Sequence, residues 1–116
     1  MNPALFASAL VAFMLAAQPL TIQFRSDPNP PRVGRNGFEV VVSDNHGKPV
    51  DDASVQVQLA RTVEPHMRRT IGLTYEGDGT YRGAGEMTRA GEWNITVVVR
   101  RDGSVIGSRA LSQTVK

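Results

Sequence analysis

The sequence predicts an all-β fold, and three observations lead to this prediction. Apolar and polar residues alternate over most of the chain from residue 37 onward, which is the two-residue period of half-buried strands. Eleven glycines and seven prolines among 116 residues supply frequent turns. No segment beyond the N-terminus has the 3.6-residue period of an amphipathic helix. The length allows one domain with one hydrophobic core.

The N-terminal segment has a different character from the rest of the chain. Residues 4–17 (ALFASALVAFMLAA) are uncharged and almost wholly apolar, and the first charged side chain is Arg25. This length suits the core of a signal peptide, and extension to Ile22 brings the segment near membrane-spanning length. We therefore predict an apolar helix within residues 1–22 that serves as a signal peptide or membrane anchor, and a periplasmic or other extracytoplasmic location. The alternative is a buried N-terminal helix of a cytosolic domain.

A proline-rich connector precedes the alternating region. Residues 27–31 (DPNPP) are stiff because proline fixes φ and cannot donate a hydrogen bond to a sheet. We assign residues 23–36 to this connector and a first strand, and residues 37–116 to the folded domain.

Alternating segments and turn signals then follow each other at intervals of roughly 8–12 residues. The apolar rows lie at residues 38–42, 55–59, 67–75, 81 onward, 93–99 and 105–115, and the turns lie at 44–47, 77–79 and 101–103. About seven short strands in this pattern indicate an immunoglobulin-like antiparallel β-sandwich. The predicted core consists of Val40, Val42, Val55, Val57, Leu73, Tyr81, Trp93, Ile95 and Val97. We expect Tyr81 to form a tyrosine corner, and Trp93 to fill the centre of the core.

Charge and composition argue against several functions. Thirteen basic and eleven acidic residues give a net charge of +2 and are scattered along the sequence, so no nucleic-acid partner is predicted. The absence of cysteine excludes disulfide frameworks, zinc ribbons and iron–sulfur sites. The two histidines, His46 and His66, lie outside any recognisable catalytic motif, and there is no nucleophile or phosphate-binding signature. We therefore expect a protein that is not an enzyme.

One group of residues has the chemistry of a metal site. His66 and Met67 are adjacent, and imidazole and thioether ligands suit Cu(I). Met87 could approach them across the sheet, whereas His46 is a more remote candidate. The alternative is structural, with Met67 and Met87 in the core and His66 in solvent. No other cofactor is predicted.

Several motifs, in this order and spacing, resemble the YtkA-like and FixH-like family. They run from about Pro28 to the C-terminus and comprise Gly34, residues 38–42 (FEVVV), Asp44, 47–50 (GKPV), 52–53 (DA), Val55, 78–81 (DGTY), 90–93 (AGEW) and 101–103 (RDG).

The resemblance implies an immunoglobulin-like domain carried outside the cytoplasm on an N-terminal signal or anchor. It also implies an accessory role, in assembly of cbb-type haem–copper oxidases for the FixH-like branch and in copper handling for YtkA-like relatives. Such relatives often carry a stretch rich in Met and His, of which His66 and Met67 remain here. We expect a membrane protein complex as the partner. The alternative is a weak Cu(I) carrier using His66, Met67 and Met87, and an adhesion or carbohydrate-binding module is a more distant third.

Overall fold

The computed structural model describes residues 19–116, which form two antiparallel sheets and contain no helix. The eight strands are β1 (Thr21–Asp27), β2 (Gly34–Ser43), β3 (Ser54–Arg61), β4 (Arg69–Gly72), β5 (Thr74–Gly77), β6 (Thr80–Met87), β7 (Gly91–Arg101) and β8 (Ser104–Val115). The all-β prediction is confirmed. The helix predicted within residues 1–22 falls mainly outside the described part of the chain, but its predicted extension to Ile22 is wrong, because Thr21 and Ile22 begin β1. Among residues 19–116 there is no helix that could cross a membrane.

Each sheet has four strands. The first sheet has the order β1-β2-β6-β5, and the second has the order β4-β3-β7-β8. The sandwich starts further toward the N-terminus than residue 37, because β1 pairs with β2 along its whole length, from Thr21 opposite Ser43 to Asp27 opposite Gly37.

The apolar row at residues 67–75, predicted as one strand with one buried face, is instead two strands in different sheets. The chain pairs with β3 up to Gly72, and the backbone N–H of Leu73 donates to the carbonyl of Val55 at 2.9 Å. From Thr74 onward it pairs with β6. This crossing explains why there are eight strands rather than about seven. It also ends the predicted common face, and Tyr75 is 43% exposed.

The core lies between the two sheets and contains the residues that alternation predicted. Eight of the nine predicted core residues are buried, and the ninth, Leu73, is partly buried. Trp93 is 5% exposed, and its indole N–H donates to the carbonyl of Arg89 at 2.9 Å. Burial of the ring and satisfaction of its single donor confirm that Trp93 belongs to the core. Its position is not the predicted centre, because Trp93 is the third residue of β7 and lies opposite Arg61, the last residue of β3, at one end of the sandwich.

Two glycines of β6 make room for side chains from β4 in the opposite sheet and from the residue at which the chain passes between the sheets. A Cβ on Gly83 would lie 2.7 Å from Leu73 Cδ2, and a Cβ on Gly85 would overlap Ile71 Cδ1. These distances are shorter than van der Waals contact, so Ile71 and Leu73 occupy the space that side chains on β6 would need. A glycine inside a strand often marks a close approach of this kind.

The predicted tyrosine corner is present. The hydroxyl of Tyr81 donates to the carbonyl of Val50 at 2.8 Å and accepts from the backbone N–H of Ala53 at 3.4 Å. Asp51 accepts a hydrogen bond from the backbone N–H of Gly79 at 2.8 Å. These contacts join the start of β6 to the long connection between β2 and β3.

The sandwich has two ends, and the loops are divided between them. The proximal end is where the described chain begins at Pro19, and it carries residues 44–53, 78–79 and 102–103. The distal end carries residues 28–33, 62–68 and 88–90, and the C-terminal residue Lys116, which exchanges backbone hydrogen bonds with Pro31 and Val33.

Candidate functional site at the distal end

The three residues predicted as metal ligands all lie at the distal end. His66 and Met67 belong to the β3–β4 loop (residues 62–68), and Met87 is the last residue of β6. His46 lies in the β2–β3 connection at the proximal end, far from the other three. The topology therefore brings the predicted set to one end and separates His46 from it.

Short-range hydrogen bonds hold the β3–β4 loop in place. The N–H of Thr62 donates to the carbonyl of Glu92 at 3.0 Å, and the N–H of Met67 donates to the carbonyl of Glu64 at 3.0 Å. The guanidinium of Arg61 pairs with the carboxylate of Glu64 at 2.5 Å. These contacts fix the backbone of the loop. Its side chains Val63 and Met67 are 74% and 64% exposed. The loop thus presents two large apolar side chains to solvent, which makes it a candidate contact surface.

Burial divides the three predicted ligands into two groups. β4 starts only at Arg69, so Met67 shares the exposed loop with His66, whereas Met87 is fully buried in the core. An adjacent imidazole and thioether fit a Cu(I) ion that takes two soft ligands. Met87 would have to leave the core to become a third. Among residues 19–116 there is no group of three or more His, Asp or Glu side chains arranged to hold a metal ion.

A cleft of about 230 Å³ lies beside Met67, and we call it the distal cleft. Leu59 and Trp93 supply apolar surface, and charged side chains dominate the rest. The cleft is lined by Leu59, Arg61, Glu64, Met67, Arg69, Glu86, Thr88, Arg89 and Trp93. Sequence reasoning singled out Met67 and Trp93 but missed the arginines.

The fold gives the two ends opposite charge. The proximal end carries Asp44, Asp51, Asp52, Asp78 and Asp102 against Lys48, Arg100 and Arg101. The distal end carries Arg32, Arg35, Arg61, Arg68, Arg69, Arg89 and Lys116 against Asp27, Glu64, Glu86 and Glu92. Charges that are scattered in the sequence are thus sorted along the long direction of the sandwich, with the positive end distal. Successive loops of an antiparallel sandwich lie at alternate ends, and this rule could have predicted the charge separation from the sequence.

The larger proximal cleft, of about 920 Å³, is lined by apolar residues such as Leu20 and Ile106 and by carboxylates that already have partners. Asp44 accepts the backbone N–H groups of Lys48 and His46, at 2.9 and 2.8 Å, and these hydrogen bonds lower the pKa of its carboxyl. The hydrogen bond from Arg101, at 2.5 Å, lowers the pKa of Asp52. Asp44 thus stabilises its own turn, and Asp52 joins the β2–β3 connection to the end of β7. Because both carboxylates are engaged in this way, the distal cleft is the better candidate for binding.

Comparison with known proteins gives a family and a fold. The family described as YtkA-like matches residues 14–98 of the chain. An engineered protein solved by crystallography has 16% identity and a TM-score of 0.50 over 82% of this chain, which spans only 20% of that protein. This likeness concerns the fold alone. No curated protein matches the chain.

Two structures of a CARDB domain from Pyrococcus furiosus are also similar. The solution NMR structure has 19% identity and a TM-score of 0.49, and covers 83% of this chain and 93% of that domain. The crystal structure of the domain in complex with di-metal ions has 17% identity and a TM-score of 0.46, with 85% and 89% coverage.

Proposed function

Because this chain belongs to the YtkA-like family, we propose that it is a non-catalytic accessory domain, held outside the cytoplasm, that binds a membrane protein complex through its distal end. The observation that carries this proposal is the exposure of Val63 and Met67 on a fixed loop, at the end opposite the one where the described chain begins. Family membership supports the accessory class, and the exposed apolar pair supports the choice of surface.

The attachment of the chain at the proximal end favours this orientation. Leu20 packs closely over Gly107 of β8, and Arg109 donates a hydrogen bond to the carbonyl of Ile22 at 2.8 Å. A tether that precedes Pro19 would therefore hold the proximal end toward the membrane. β2 has 10 residues, so at roughly 3.3 Å per residue the distal loops would extend about 30 Å further out.

The finer part of the proposal is that the partner is a haem–copper oxidase or a similar complex during its assembly, as the FixH-like resemblance implies. The test is complementation of a host strain that lacks the gene, with oxidase activity and the haem absorbance of membranes as readouts. A Val63→Asp/Met67→Asp double variant should fail to restore the oxidase, because a charged surface would not pack against the partner.

A Val105→Asp variant is the matched control, since Val105 is 55% exposed at the proximal end. It should restore the oxidase as well as the parent does, at equal protein levels. Full complementation by the distal double variant would contradict the proposed surface. An oxidase that is normal in the strain without the gene would contradict the proposed partner.

A second candidate function is that of a weak Cu(I) carrier using His66, Met67 and Met87. It is favoured by the adjacent imidazole and thioether on the exposed loop, with Met87 at the same end. Titration with Cu(I) against a competing chelator should show binding that is lost in His66→Ala/Met67→Ala and retained in His46→Ala, which removes a histidine at the other end. Undetectable binding, or equal binding by the double variant, would remove this candidate.

A further inference from the structure

The arginines of this protein differ in whether their guanidinium groups have partners. Arg82 contacts Glu39 and Glu76, at 2.7 and 3.0 Å. Arg101 pairs with Asp52, Arg100 donates to a side-chain oxygen of Gln56, and Arg109 donates to a backbone carbonyl. All of these lie on the sheets or at the proximal end. Outside the distal end, Arg25 of β1 is the one arginine of residues 19–116 whose guanidinium has no such contact.

At the distal end most guanidinium groups of the described residues have no partner. Among residues 19–116, only Arg61 of the distal arginines has an ion pair or side-chain hydrogen bond. Those without such a partner are Arg32, Arg35, Arg68, Arg69 and Arg89. Arg69 and Arg89 both line the distal cleft, and the carbonyl of Arg89 is fixed by the indole N–H of Trp93.

The charge balance within the cleft is positive. Arg61 neutralises Glu64, so Arg69 and Arg89 are opposed by a single carboxylate, that of Glu86. A guanidinium binds a carboxylate through two parallel hydrogen bonds, which makes arginine well suited to recognise Asp or Glu. A cleft of about 230 Å³ has room for one or two side chains, not for a folded element.

From these contacts we propose that the distal cleft and the β3–β4 loop beside it bind an acidic segment of the partner protein. Its carboxylates pair with Arg69 and Arg89, and an apolar neighbour in the same segment packs on Met67 and Val63. This inference rests on the proposed accessory function and names the chemistry of the partner. The acidic proximal end repels such a segment, so the charge polarity of the domain also orients the encounter.

The test uses the full chain in detergent micelles and a synthetic eight-residue peptide of alternating glutamate and leucine. Trp93 is the only tryptophan and lines the cleft, so its fluorescence and the NMR signal of its indole N–H report binding. Binding should saturate and weaken as salt is raised. It should fall about tenfold or more in Arg69→Gln/Arg89→Gln, as expected when two charge-assisted contacts are removed.

The control Arg25→Gln/Lys48→Gln removes the same amount of charge from exposed positions away from the cleft. It should bind the peptide within about twofold of the parent, since exposed charges at a distance act only through a screened field. The proposal would be overturned if both variants bound the peptide equally weakly. It would also be overturned if a peptide with lysine in place of glutamate bound as well as the acidic one. Thermal melts of both variants should overlay that of the parent.

A third probe, a single-stranded oligonucleotide, distinguishes a carboxylate site from a general polyanion site. Tighter binding of the oligonucleotide than of the acidic peptide would overturn the proposal in favour of nucleic acid. The oxidase assay separates this inference from the function on which it rests. If Arg69→Gln/Arg89→Gln complements fully while Val63→Asp/Met67→Asp does not, the acidic segment is refuted and the accessory function stands.

Discussion

Gly85→Ala tests the packing of the two sheets directly. The added Cβ would overlap Ile71 Cδ1 and lie 3.3 Å from a ring carbon of Phe38, so the methyl group is confined from two sides. Overpacking of this kind costs about 1–3 kcal/mol, whereas Gly→Ala without strain stabilises by about 0.4–1 kcal/mol through the unfolded chain. The net expectation is a loss of about 0.5–2 kcal/mol in the free energy of unfolding, measured in urea.

Two further variants make the test specific. Gly72→Ala is the matched control, because a Cβ there meets nothing within 4 Å, and it should be neutral or more stable than the parent. Ile71→Val removes the overlapped carbon, so Gly85→Ala/Ile71→Val should be more stable than the sum of the single effects implies. Gly85→Ala with a stability equal to or above that of the parent, or strictly additive effects, would show that Ile71 does not fill this space.

Three other measurements address the core, the corner and the proximal loops. Trp93→Ala should lower the free energy of unfolding by about 3–5 kcal/mol, as for other large buried aromatics, and overlapping urea curves would contradict its assignment to the core. Tyr81→Phe should lower the free energy of unfolding by about 1–3 kcal/mol, because the buried carbonyl of Val50 loses its donor. An unchanged free energy of unfolding would show that the tyrosine corner does not stabilise the fold. The pKa values of Asp44 and Asp52 are lowered in the folded state, so the stability they contribute is present above the unfolded pKa of about 4 and is lost as pH falls through their folded values. The decline between pH 5 and pH 2 should be shallower in Asp44→Asn/Asp52→Asn, and an identical slope would contradict the assignment.

The parts of the fold that depend on local alternation could be predicted from the sequence. Val40 and Val42, or Ile95 and Val97, point into the core because side chains two residues apart share a face of a strand. The crossing at Leu73 could not be predicted in this way. A two-residue period continues from Ile71 to Tyr75 whichever sheet the chain joins, and the period carries no information about the neighbouring strand.

The candidate site was predicted in part, for similar reasons. The position of Met87 in the core could have been read from its parity with Tyr81, since residues 81, 83, 85 and 87 share one face of β6. The common end of His66, Met67 and Met87 follows from antiparallel topology. The convergence of Arg69 and Arg89 required the three-dimensional structure, because β4 and the β6–β7 loop are separated in sequence by β5 and β6, which belong to the other sheet.

The described chain begins at the proximal end and terminates at the distal end, and this has a mechanical consequence. A pull between Pro19 and a partner on the distal loops acts along the strands. The hydrogen bonds of the β1–β2 ladder are perpendicular to that direction and run along all of β1, from Thr21 to Asp27, so they are loaded in shear and share the force. The contact between Arg109 and Ile22 adds a cross-link from β1 to the other sheet. We expect a domain that resists extension between its ends and acts as a stiff spacer under tension.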